Sequence, residues 1–582
     1  MTVVASKTDI RTAISTGEIV ARFLACQGVR VAFGVISIHN MPILDAFHRL
    51  GQIRFVPARG EAGACNMADA AARVSGTLGV VVTSTGTGSG NAAGALVEAM
   101  TAGTSLLHLT GQIDSEWVDK NWGFIHEHPD QLGMLKAVGK GAFRINTPDE
   151  AWAVLTRAAS LALTAPCGPV SVEIAIDVQQ AYLEQKELPE HVLSAQSAPV
   201  FIATKMSDAA QIMQLASSLK HAKKPLLWLG GGARHAGAEV QRLVDLGFGV
   251  VTSVQGRGVM AEDHPASLGA FNLQRASAAL YAQCDAMLIV GSRLRSNETM
   301  KYKLALPAKR YRIDANPAVQ HQAYSCEQFL EADSALALNA LADALEGYRA
   351  DASWHAEISA AKLAAQAQVD ISLSAYVQLK DALNQTIDQQ LHGQCIWVRD
   401  ITLSNTMWGN RSLVLRHPRA GVHALGGGIG QGLQMGIGAA IANVVYKEKR
   451  PIDLANTAQA ALKTIALVGD GGFMLNVGEL ACAAQENANL LVILMNDGGY
   501  GVIKNIQDAD YGSRHCYVDL HTPDFAMLCA SMGVKHLKSS EPAQIDAQLK
   551  DALQGVGPTV LEIDMKAWGP FAEKFAGPQR KL

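Results

Sequence analysis

The stretch Ile465-Ala-Leu-Val-Gly-Asp-Gly-Gly-Phe473 is an apolar run that ends on an acid flanked by glycines. A second apolar run, Leu490-Leu-Val-Ile-Leu-Met495, follows it and leads into Asn496-Asp-Gly-Gly-Tyr500. Short continuous apolar runs of this kind are typical of strands buried on both faces of a parallel sheet. Because the carboxyl ends of parallel strands lie at one edge of a sheet, we predict that Asp470 and Asn496 lie side by side.

The side chains predicted at this edge suit a divalent cation and a phosphate. Mg²⁺ prefers oxygen ligands and takes one or two from protein side chains, with the rest from phosphate and water. Asp470, the amide oxygen of Asn496 and a main-chain carbonyl just beyond it can supply them. Glycines at 471, 472, 498 and 499 let backbone N–H groups approach phosphate oxygens, and a helix starting after Gly472 adds its dipole. Two ordinary strand-end turns are the alternative, since Asp and Asn are common there.

The composition indicates a large globular protein without nucleic-acid or membrane partners. The 582 residues correspond to about three domains. A net charge of −4 argues against an extended nucleic-acid surface, and nine scattered cysteines without a Cys-x-x-Cys pair indicate neither a zinc site nor a disulfide framework. We find no apolar stretch of the ~18 residues that a membrane helix needs, and no apolar run of a signal peptide at the N-terminus. We therefore expect a cytoplasmic protein.

Apolar strands and helical patterns alternate along the whole chain, which predicts an α/β protein of three doubly wound parallel-sheet domains. We place the domains at residues 1–188, 200–350 and 370–570, with a tail at 571–582. Linkers are predicted near 183–207, which is polar, and near 348–374, an Ala/Gln-rich helix without a strong apolar face. Each domain has a strand that ends in glycines, Gly86-Thr-Gly88, Gly230-Gly-Gly232 or Asp470-Gly-Gly472, and ligands bind beyond such strand ends.

The last domain resembles the cofactor signature of thiamine-diphosphate-dependent enzymes, which is Gly-Asp-Gly followed after about 26 residues by Asn. The resemblance implies that Asp470, Asn496 and the carbonyl of Gly498 hold Mg²⁺. It also implies a second set of residues around the diphosphate, namely Ser404-Asn405-Thr406, Gly471, Gly472, Gly499 and Tyr500.

An upstream segment, Gly427-Gly-Ile-Gly-Gln-Gly-Leu433, resembles the glycine-rich pyrimidine loop of the same enzymes. There the apolar Ile429 would hold the cofactor in its bent shape, and the Gly427 carbonyl would accept from the 4′-amino group. The family's usual Leu-Pro after this loop is Leu433-Gln434 here, so the following helix is free to start differently.

The other domains extend the resemblance over nearly the whole chain. Phe55-Val-Pro-Ala-Arg-Gly-Glu-Ala62, Thr83-Ser-Thr-Gly-Thr-Gly-Ser-Gly-Asn91 and Thr110-Gly-Gln112 resemble motifs of a pyrimidine-binding domain. Leu229-Gly-Gly-Gly232 and Arg312-Ile-Asp-Ala-Asn-Pro317 resemble the central domain of the acetolactate synthase and benzoylformate decarboxylase group. The three domains are therefore expected to be pyrimidine-binding, central and diphosphate-binding.

The resemblance gives Glu61 a catalytic role. A carboxylate hydrogen-bonded to the pyrimidine N1′ favours the imino tautomer of the cofactor. The 4′-nitrogen of that tautomer then removes the C2 proton. That role needs a partly buried glutamate. The alternative is a helix N-terminal Glu that interacts with the helix dipole. In this family the glutamate of one subunit serves a cofactor whose diphosphate another subunit holds, so we expect a homodimer or homotetramer with active sites at the subunit interface.

The substrate pocket is predicted from weaker patterns. Phe33-Gly-Val-Ile-Ser-Ile-His-Asn40 resembles the family's first substrate loop, and His39 could relay protons to a substrate oxygen. A helix-capping pair of His39 and Asn40 is the alternative. Gln112 and His126 complete the candidate set, because His126 and His128 lie where simple pyruvate decarboxylases carry a histidine pair. We find no further ligand spacing that would make His-x-His a metal site.

These features predict a decarboxylase or carboligase that acts on a 2-oxo acid through a C2 ylid and an enamine, with a small 2-oxo acid or aldehyde as substrate. Val502 stands where pyruvate decarboxylases carry a catalytic Glu, and a Phe-Asp-Asp-Arg run is missing, so we expect neither that enzyme nor FAD. One alternative is a lyase that cleaves a 2-hydroxy ketone or 2-hydroxyacyl-CoA.

Two alternatives come from other classes. An inactive nucleotide-binding regulatory homologue would be expected to lack Glu61. A dinucleotide oxidoreductase is excluded because Gly86-Thr-Gly88 is followed by Gly90, which breaks the G-x-G-x-x-G pattern.

Overall fold

The computed structural model describes residues 13–184, 197, 199–200, 202, 204–447 and 462–575. The chain divides into two compact units, Met1–Ile202 and Ala203–Leu582. The first unit holds one large parallel sheet and the second holds two, each flanked by helices. The predicted α/β class with three parallel-sheet domains is thereby confirmed. Most of the predicted linker at 183–207 lies outside the described residues.

The first unit is built on a six-stranded sheet of order β3-β2-β4-β5-β7-β6, whose neighbours all pair in parallel. Its central strands are fully buried and mostly apolar, as expected of a sheet covered on both faces. A separate antiparallel pair joins β1 and β8. The strands are β1 Ala13–Ser15, β2 Val31–Gly34, β3 Arg54–Pro57, β4 Gly79–Thr83, β5 Leu106–Gln112, β6 Gly141–Ile145, β7 Pro169–Ala175 and β8 Tyr182–Glu184.

The helices of the first unit begin at recognisable signals. The Ser15 hydroxyl accepts from the Glu18 N–H at 3.2 Å and caps the first helix. Gly51, Gly76 and Gly103 adopt left-handed φ angles and end three others. The helices are α1 Thr16–Cys26, α2 Met41–Leu50, α3 Glu61–Ser75, α4 Thr87–Ala102, α5 Gln131–Val138, α6 Ala151–Leu163 and α7 Ile176–Gln180.

The second unit begins with a five-stranded parallel sheet of order β10-β9-β11-β12-β13. Gly230, after β9, packs so tightly on the end of β11 that a Cβ there would lie 2.1 Å from the Gly291 carbonyl oxygen. Close backbone packing therefore accounts for this glycine. The elements are β9 Pro225–Leu229, β10 Gly249–Thr252, β11 Ala286–Val290, β12 Arg310–Asp314 and β13 Gln328–Glu331, with α8 Ala209–Leu219, α9 Gly237–Asp245, α10 Arg275–Tyr281 and α11 Ser334–Ala344.

The helix predicted as a linker near 348–374 is instead a packed element, α12 Trp354–Leu373. Trp354, Ile358, Ala365 and Val369 are buried, and the Trp354 indole N–H donates to the Pro225 carbonyl at 2.9 Å. The sequence was misleading because the buried stripe is narrow and lies among alanines and polar residues.

The third sheet has six parallel strands in the order β15-β14-β16-β17-β19-β18. Its strand order reverses between β14 and β16, where open α/β sheets bind ligands. Within the described residues, no helix combines the length and apolar character that a membrane span needs. The strands are β14 Cys395–Arg399, β15 Gly421–His423, β16 Lys463–Gly469, β17 Leu490–Asn496, β18 Lys535–Ser539 and β19 Thr559–Asp564. The helices are α13 Tyr376–Leu391, α14 Gly432–Val445, α15 Asp470–Leu475, α16 Glu479–Gln485, α17 Gly501–Asp510, α18 Phe525–Ser531, α19 Ile545–Gln554 and α20 Met565–Trp568.

Candidate active site

The ends of β16 and β17 bring Asp470 and Asn496 together. The two strands pair in parallel with Gly469 opposite Met495, so the residues that follow lie next to each other at the carboxyl edge of the sheet. This is the arrangement that the two apolar runs predict.

Asp470 is a buried acid without a partner. The residue is 1% exposed, and neither carboxylate oxygen has a hydrogen-bond donor. Burial, together with the neighbouring Asp497 carboxylate, raises the pKa of Asp470 to about 7, and burial also raises the pKa of Asp497. Two buried carboxyls without a counter-charge are unfavourable, so a cation at this edge would relieve a cost that the protein alone leaves in place.

Glu562 sets the orientation of the Asn496 amide. The Asn496 Nδ2 donates to Glu562 Oε1 at 2.8 Å, so the amide oxygen is the atom that this bond leaves for another ligand. Glu562 is itself buried and accepts from His536 Nε2 at 3.0 Å, with Lys538 Nζ 3.3 Å away. The sequence reasoning missed Glu562, although an acid inside the apolar strand β19 was a signal.

The segment that follows Asn496 is held in place by contacts with residues 518–520. Gly498 has a left-handed φ of 76°, and its carbonyl accepts from Leu520 N–H at 3.0 Å, which leaves one lone pair for a further ligand. A Cβ at Gly499 would lie 2.2 Å from the Val518 carbonyl oxygen. A Cβ at Gly471 would lie 2.7 Å from a ring carbon of Tyr500, so the tyrosine covers that glycine.

The helix expected to start after Gly472 begins earlier, at Asp470 itself. Gly471 and Gly472 therefore lie in its first turn, where backbone N–H groups have no partner within the helix. Within the described residues, no group of three His, Cys, Asp or Glu side chains could hold a metal ion. A cation here would depend on a carboxylate, an amide and a carbonyl, a donor set that suits Mg²⁺.

Asp400 holds the glycine-rich loop in place. It follows β14, is fully buried, and accepts from the N–H groups of Gly430 at 3.0 Å and Ile401 at 2.7 Å. Burial raises the pKa of Asp400 to about 6, although these N–H groups oppose the shift. Ile429 in the loop is 38% exposed, an unusual place for a large aliphatic side chain between glycines. An acid after an apolar strand is the pattern that identified Asp470, and the same pattern could have identified Asp400.

Ser404, Asn405 and Thr406 do not form the turn that the resemblance implied. A π-helix runs over Asn405–Gly409, and Asn405 N–H donates to the Thr402 hydroxyl at 2.9 Å. The Ser404 hydroxyl and the Asn405 amide oxygen are buried without hydrogen-bond partners. The segment therefore contributes unsatisfied polar groups just beyond β14.

Glu61 in the first unit is the first residue of α3 and is half-buried. Its Oε2 accepts from Asn91 Nδ2 at 3.1 Å, and a Cβ at Gly88 would lie 3.0 Å from its Oε1. The first turns of α4, which contain Gly88 and Asn91, thus pack against the carboxylate. The position also satisfies the alternative interpretation of a glutamate at a helix N-terminus.

His39 and His126 lie against each other, with ring centroids 5.1 Å apart. Burial and then the nearby His126 lower the pKa of His39, which keeps its imidazole neutral near pH 7. Its Nδ1 is buried without a partner. A Cβ at Gly111 would lie 2.2 Å from the His39 carbonyl oxygen, which places the neighbouring Gln112 close by.

The His39–Asn40 capping alternative is not what the structure shows. Asn40 precedes α2, but its side chain makes no capping bond. Its Oδ1 instead accepts from Ser37 N–H at 2.9 Å, and its Nδ2 donates to the Val35 carbonyl at 2.9 Å. Asn40 therefore braces the loop that presents His39. His128 Nδ1 accepts from the Asp130 N–H at 3.1 Å.

Gln131 organises this part of the first unit and was missed from the sequence. Its Oε1 accepts from Gly86 N–H at 2.7 Å and from the Thr85 hydroxyl at 3.1 Å, while its Nε2 donates to the Gly111 carbonyl at 3.2 Å. The Thr85 hydroxyl also donates to Gln112 Oε1 at 2.8 Å. One buried amide thus ties the ends of β4 and β5 together, and no local pattern marks it.

Comparison with known proteins assigns all three sheets to domains of thiamine pyrophosphate enzymes. The chain matches the thiamine pyrophosphate enzyme N-terminal TPP binding domain at residues 14–134, the central domain at 212–341 and the C-terminal TPP binding domain at 404–563.

Curated relatives match over nearly full length. A probable acetolactate synthase large subunit of Methanocaldococcus jannaschii is 27% identical over 94% of this chain and 91% of its own. A probable 2-ketoarginine decarboxylase of Pseudomonas aeruginosa is 28% identical, and the acetolactate synthase isozyme 2 large subunit of Escherichia coli is 26% identical, each over 94% of both chains. The chain belongs to the thiamine-pyrophosphate-dependent enzymes of the acetolactate synthase family.

Proposed function

We propose that the protein uses thiamine diphosphate and Mg²⁺ to decarboxylate a 2-oxo acid and to release the product or join it to a second carbonyl compound. The observation that carries this proposal is Asp470, a buried acid without a donor or counter-ion at a strand end within the segment that matches the C-terminal TPP binding domain. The presence of Glu61 argues against an inactive homologue.

The proposed metal ligands are Asp470, the Asn496 amide oxygen and the Gly498 carbonyl. Each has an oxygen that the protein leaves unused: both carboxylate oxygens of Asp470, the amide oxygen turned away from Glu562, and a carbonyl lone pair. Oxygen ligands of this kind, completed by phosphate and water, suit Mg²⁺. The residues present therefore fit the cation.

The proposed diphosphate site is formed by the first turn of α15 and the Ser404 region. Gly471 and Gly472 offer backbone N–H groups, and the buried Ser404 hydroxyl is a free donor. The Tyr500 ring covers Gly471, and Gly499, Asn405 and Thr406 are proposed to complete the diphosphate site. The proposed pyrimidine loop is braced by Asp400, which leaves the Ile429 side chain projecting as an apolar support and the Gly427 carbonyl as an acceptor.

Thiamine diphosphate supplies, when bound, a carbanion centre that adds to the substrate carbonyl and accepts the electrons released with CO₂. The role proposed for Glu61 is to hold a proton at the pyrimidine N1′. Its carboxylate is kept in place by Asn91 and by the backbone at Gly88, so that little reorganisation is needed.

The proposed substrate residues are His39, Gln112 and His126. A neutral His39 can accept or donate a proton at a substrate oxygen. The Gln112 oxygen is occupied by Thr85 and by the Ile113 N–H at 2.9 Å, so its amide N–H₂ is the part left to contact a substrate. A 2-oxo acid is also the substrate named for the probable 2-ketoarginine decarboxylase relative.

A substrate screen tests this proposal. The purified protein with thiamine diphosphate and Mg²⁺ is offered a series of 2-oxo acids, alone and with aldehydes, and CO₂ release and ligated products are measured. We expect cofactor-dependent turnover of at least one 2-oxo acid. Cleavage of a 2-hydroxy ketone or 2-hydroxyacyl-CoA, with no 2-oxo acid turned over, would contradict the proposal in favour of the lyase alternative. The family arrangement also supports a homodimer or homotetramer, which light scattering would measure.

A further inference from the structure

Three arginines gather in the second unit, where a loop after β10 meets the segment after β14. Arg257 lies in the loop, Arg399 ends β14 and Arg411 follows the π-helix. Asn410 links two of them, because its carbonyl accepts from Arg257 Nη1 at 3.0 Å and its Oδ1 contacts Arg399 Nη1 at 3.4 Å. We call these three residues the arginine cluster.

Arg257 is fully paired. Its Nε and Nη2 each donate to one oxygen of the Glu262 carboxylate at 2.7 Å, and Nη2 also donates to the Leu413 carbonyl. Glu262 Oε2 accepts in addition from Leu415 N–H at 2.8 Å. The carboxylate of Glu262 is therefore committed to Arg257 and to the backbone.

Arg399 and Arg411 have no comparable partner. Arg399 is fully buried, and its Nε and Nη2 donate to nothing. The Nε of Arg411 and the indole Nε1 of Trp408 are also buried without a hydrogen-bond acceptor. In the described part of the chain, no carboxylate pairs with either arginine, whereas Glu262 pairs with Arg257. The cluster thus holds three positive charges against one negative charge.

Such an arrangement calls for a negative ligand. Buried N–H donors are almost always satisfied, and a buried guanidinium without an acceptor or counter-charge is strongly unfavourable. Burial lowers the pKa of Arg399, and the adjacent Arg257 adds to the effect. Arginine nevertheless keeps its proton in proteins, so neutralising the side chain is not a solution. A water molecule could accept hydrogen bonds but would leave the charge uncompensated.

We propose that the arginine cluster binds a compact inorganic anion, for which chloride is the best candidate. The unsatisfied groups are all N–H donors, and a halide accepts hydrogen bonds from several directions without needing a donor in return. The cluster also lies next to the proposed cofactor loop. Arg399 and Asp400 are consecutive, and Asp400 accepts a hydrogen bond from Gly430 in that loop. An anion bound to Arg399 would therefore stiffen the end of β14, which anchors the loop.

Halide-dependent stability tests the proposal on the unaltered protein. Melting temperature is followed in sodium chloride, sodium bromide and sodium gluconate at constant ionic strength, with sodium phosphate as a separate arm. We expect the melting temperature to rise by roughly 1–2 °C for each tenfold increase in chloride or bromide, as one bound ligand would give for a chain of this size. A crystal grown with bromide should show an anomalous peak between Arg399 and Arg411.

An Arg399→Met variant should lose the halide response, because it removes one of the two unpaired cations while keeping an unbranched side chain. In gluconate it should melt no lower than the parent protein, since the buried unpaired charge has gone. Arg416→Met is the matched control, because Arg416 already pairs with Asp263 and Asp388, and this variant should keep the halide response.

Equal melting temperatures in chloride and gluconate, or a bromide-grown crystal without anomalous density at the cluster, would overturn the proposal. A response to phosphate alone would replace a halide with an oxyanion. An unchanged halide response in Arg399→Met would place the anion elsewhere and would equally refute the assignment. None of these results depends on whether the protein turns over a 2-oxo acid.

Discussion

The carboxyl edges of the first and third sheets differ in how their polar groups are satisfied. At the third sheet, Asp470, Ser404 and Asn405 are buried with polar atoms that contact no partner. At the first sheet, Gln131 is bonded at both ends of its amide, and Glu61 accepts from Asn91. Buried polar groups at the third sheet are therefore available to a ligand, whereas Gln131 and Glu61 at the first sheet already have protein partners and the Nδ1 of His39 does not.

We propose that the two sheet edges contribute to the reaction in different ways. Unpaired buried acids and hydroxyls are costly by themselves, and they are kept where a charged ligand offsets that cost. Bonded groups are rigid before any ligand arrives, and rigidity suits residues that position protons. The third sheet is accordingly the proposed binding half, and the first sheet the proposed proton-handling half.

The largest effect is expected from Asp470→Asn, which removes the charge but keeps the shape. The Mg²⁺-dependent affinity for thiamine diphosphate should fall by more than the ~10–100-fold that is lost when a residue supporting a metal ligand is changed. Turnover should disappear. The protein without cofactor should become more heat-stable, because a buried unpaired carboxylate has been removed. Calorimetry and thermal melts measure both. Asp551→Asn, which changes an exposed acid paired with Lys535, is the control, and equal cofactor affinity in the two variants would contradict the account.

Glu61→Gln should produce the opposite pattern. Thiamine diphosphate should still bind, because the diphosphate and metal residues are untouched, but exchange of the cofactor's C2 proton for deuterium should slow by about 10²–10⁴-fold. Proton NMR of acid-quenched samples measures the exchange. Asn91→Leu, which removes the partner of Glu61 but not its carboxylate, should slow exchange less. An exchange rate in Glu61→Gln equal to that of the parent protein would remove Glu61 from the mechanism.

Glu562→Ala should weaken Mg²⁺ binding by about 10–100-fold without removing any proposed ligand, because the Asn496 amide would be free to rotate. Glu562→Gln keeps an acceptor oxygen and should retain more of the affinity. Lys538→Met, which removes an outer partner of Glu562, is the control. Calorimetric titration of Mg²⁺ measures the series, and identical affinities for the alanine and parent proteins would show that Asn496 does not need this support.

The pH dependence of Mg²⁺ binding follows from the raised pKa of Asp470. The metal needs the carboxylate, so affinity should fall by up to about tenfold for each pH unit below about 7. Without metal, the folded protein holds this proton at pH values where the unfolded chain has lost it. The contribution to stability is therefore full below the ordinary aspartate pKa and is lost as pH rises through about 7. A Mg²⁺ affinity that stays constant from pH 7 down to pH 5.5, a range of roughly one and a half pH units below that pKa, would contradict this expectation.

His39→Phe should give the smallest effect. Cofactor binding should be unchanged, while kcat/KM for the best 2-oxo acid should fall by roughly tenfold, about 1.4 kcal/mol. His128→Phe alters a neighbouring histidine that bonds to the Asp130 N–H, and it should change kcat/KM less. Equal losses in both variants would indicate a general disturbance of the loop.

Local patterns predicted the fold and much of the third-sheet edge. Short apolar runs predicted the parallel sheets, and parallel pairing then placed Asp470 beside Asn496. Such features depend on residues close together in the sequence. The helix Trp354–Leu373 was misjudged because its buried stripe depends on packing against Pro225 and its neighbours.

The supporting residues could not be predicted in the same way. Glu562 contacts Asn496 across 66 positions, and Gln131 contacts Gly86 across 45. An acid inside the apolar strand β19 marks Glu562 itself, but nothing beside either residue marks its contact, which exists only after the sheets have formed. Asp400 is the exception, since it repeats the strand-then-acid pattern of Asp470.

The most direct test of the central claim is calorimetric titration of thiamine diphosphate into the purified protein, with Mg²⁺ and with EDTA. We expect tight binding with Mg²⁺, none with EDTA, and none with Mg²⁺ in Asp470→Asn. Binding of equal strength with and without the metal, or no binding in either condition, would contradict the claim that the unpaired groups at the third sheet form a metal–diphosphate site.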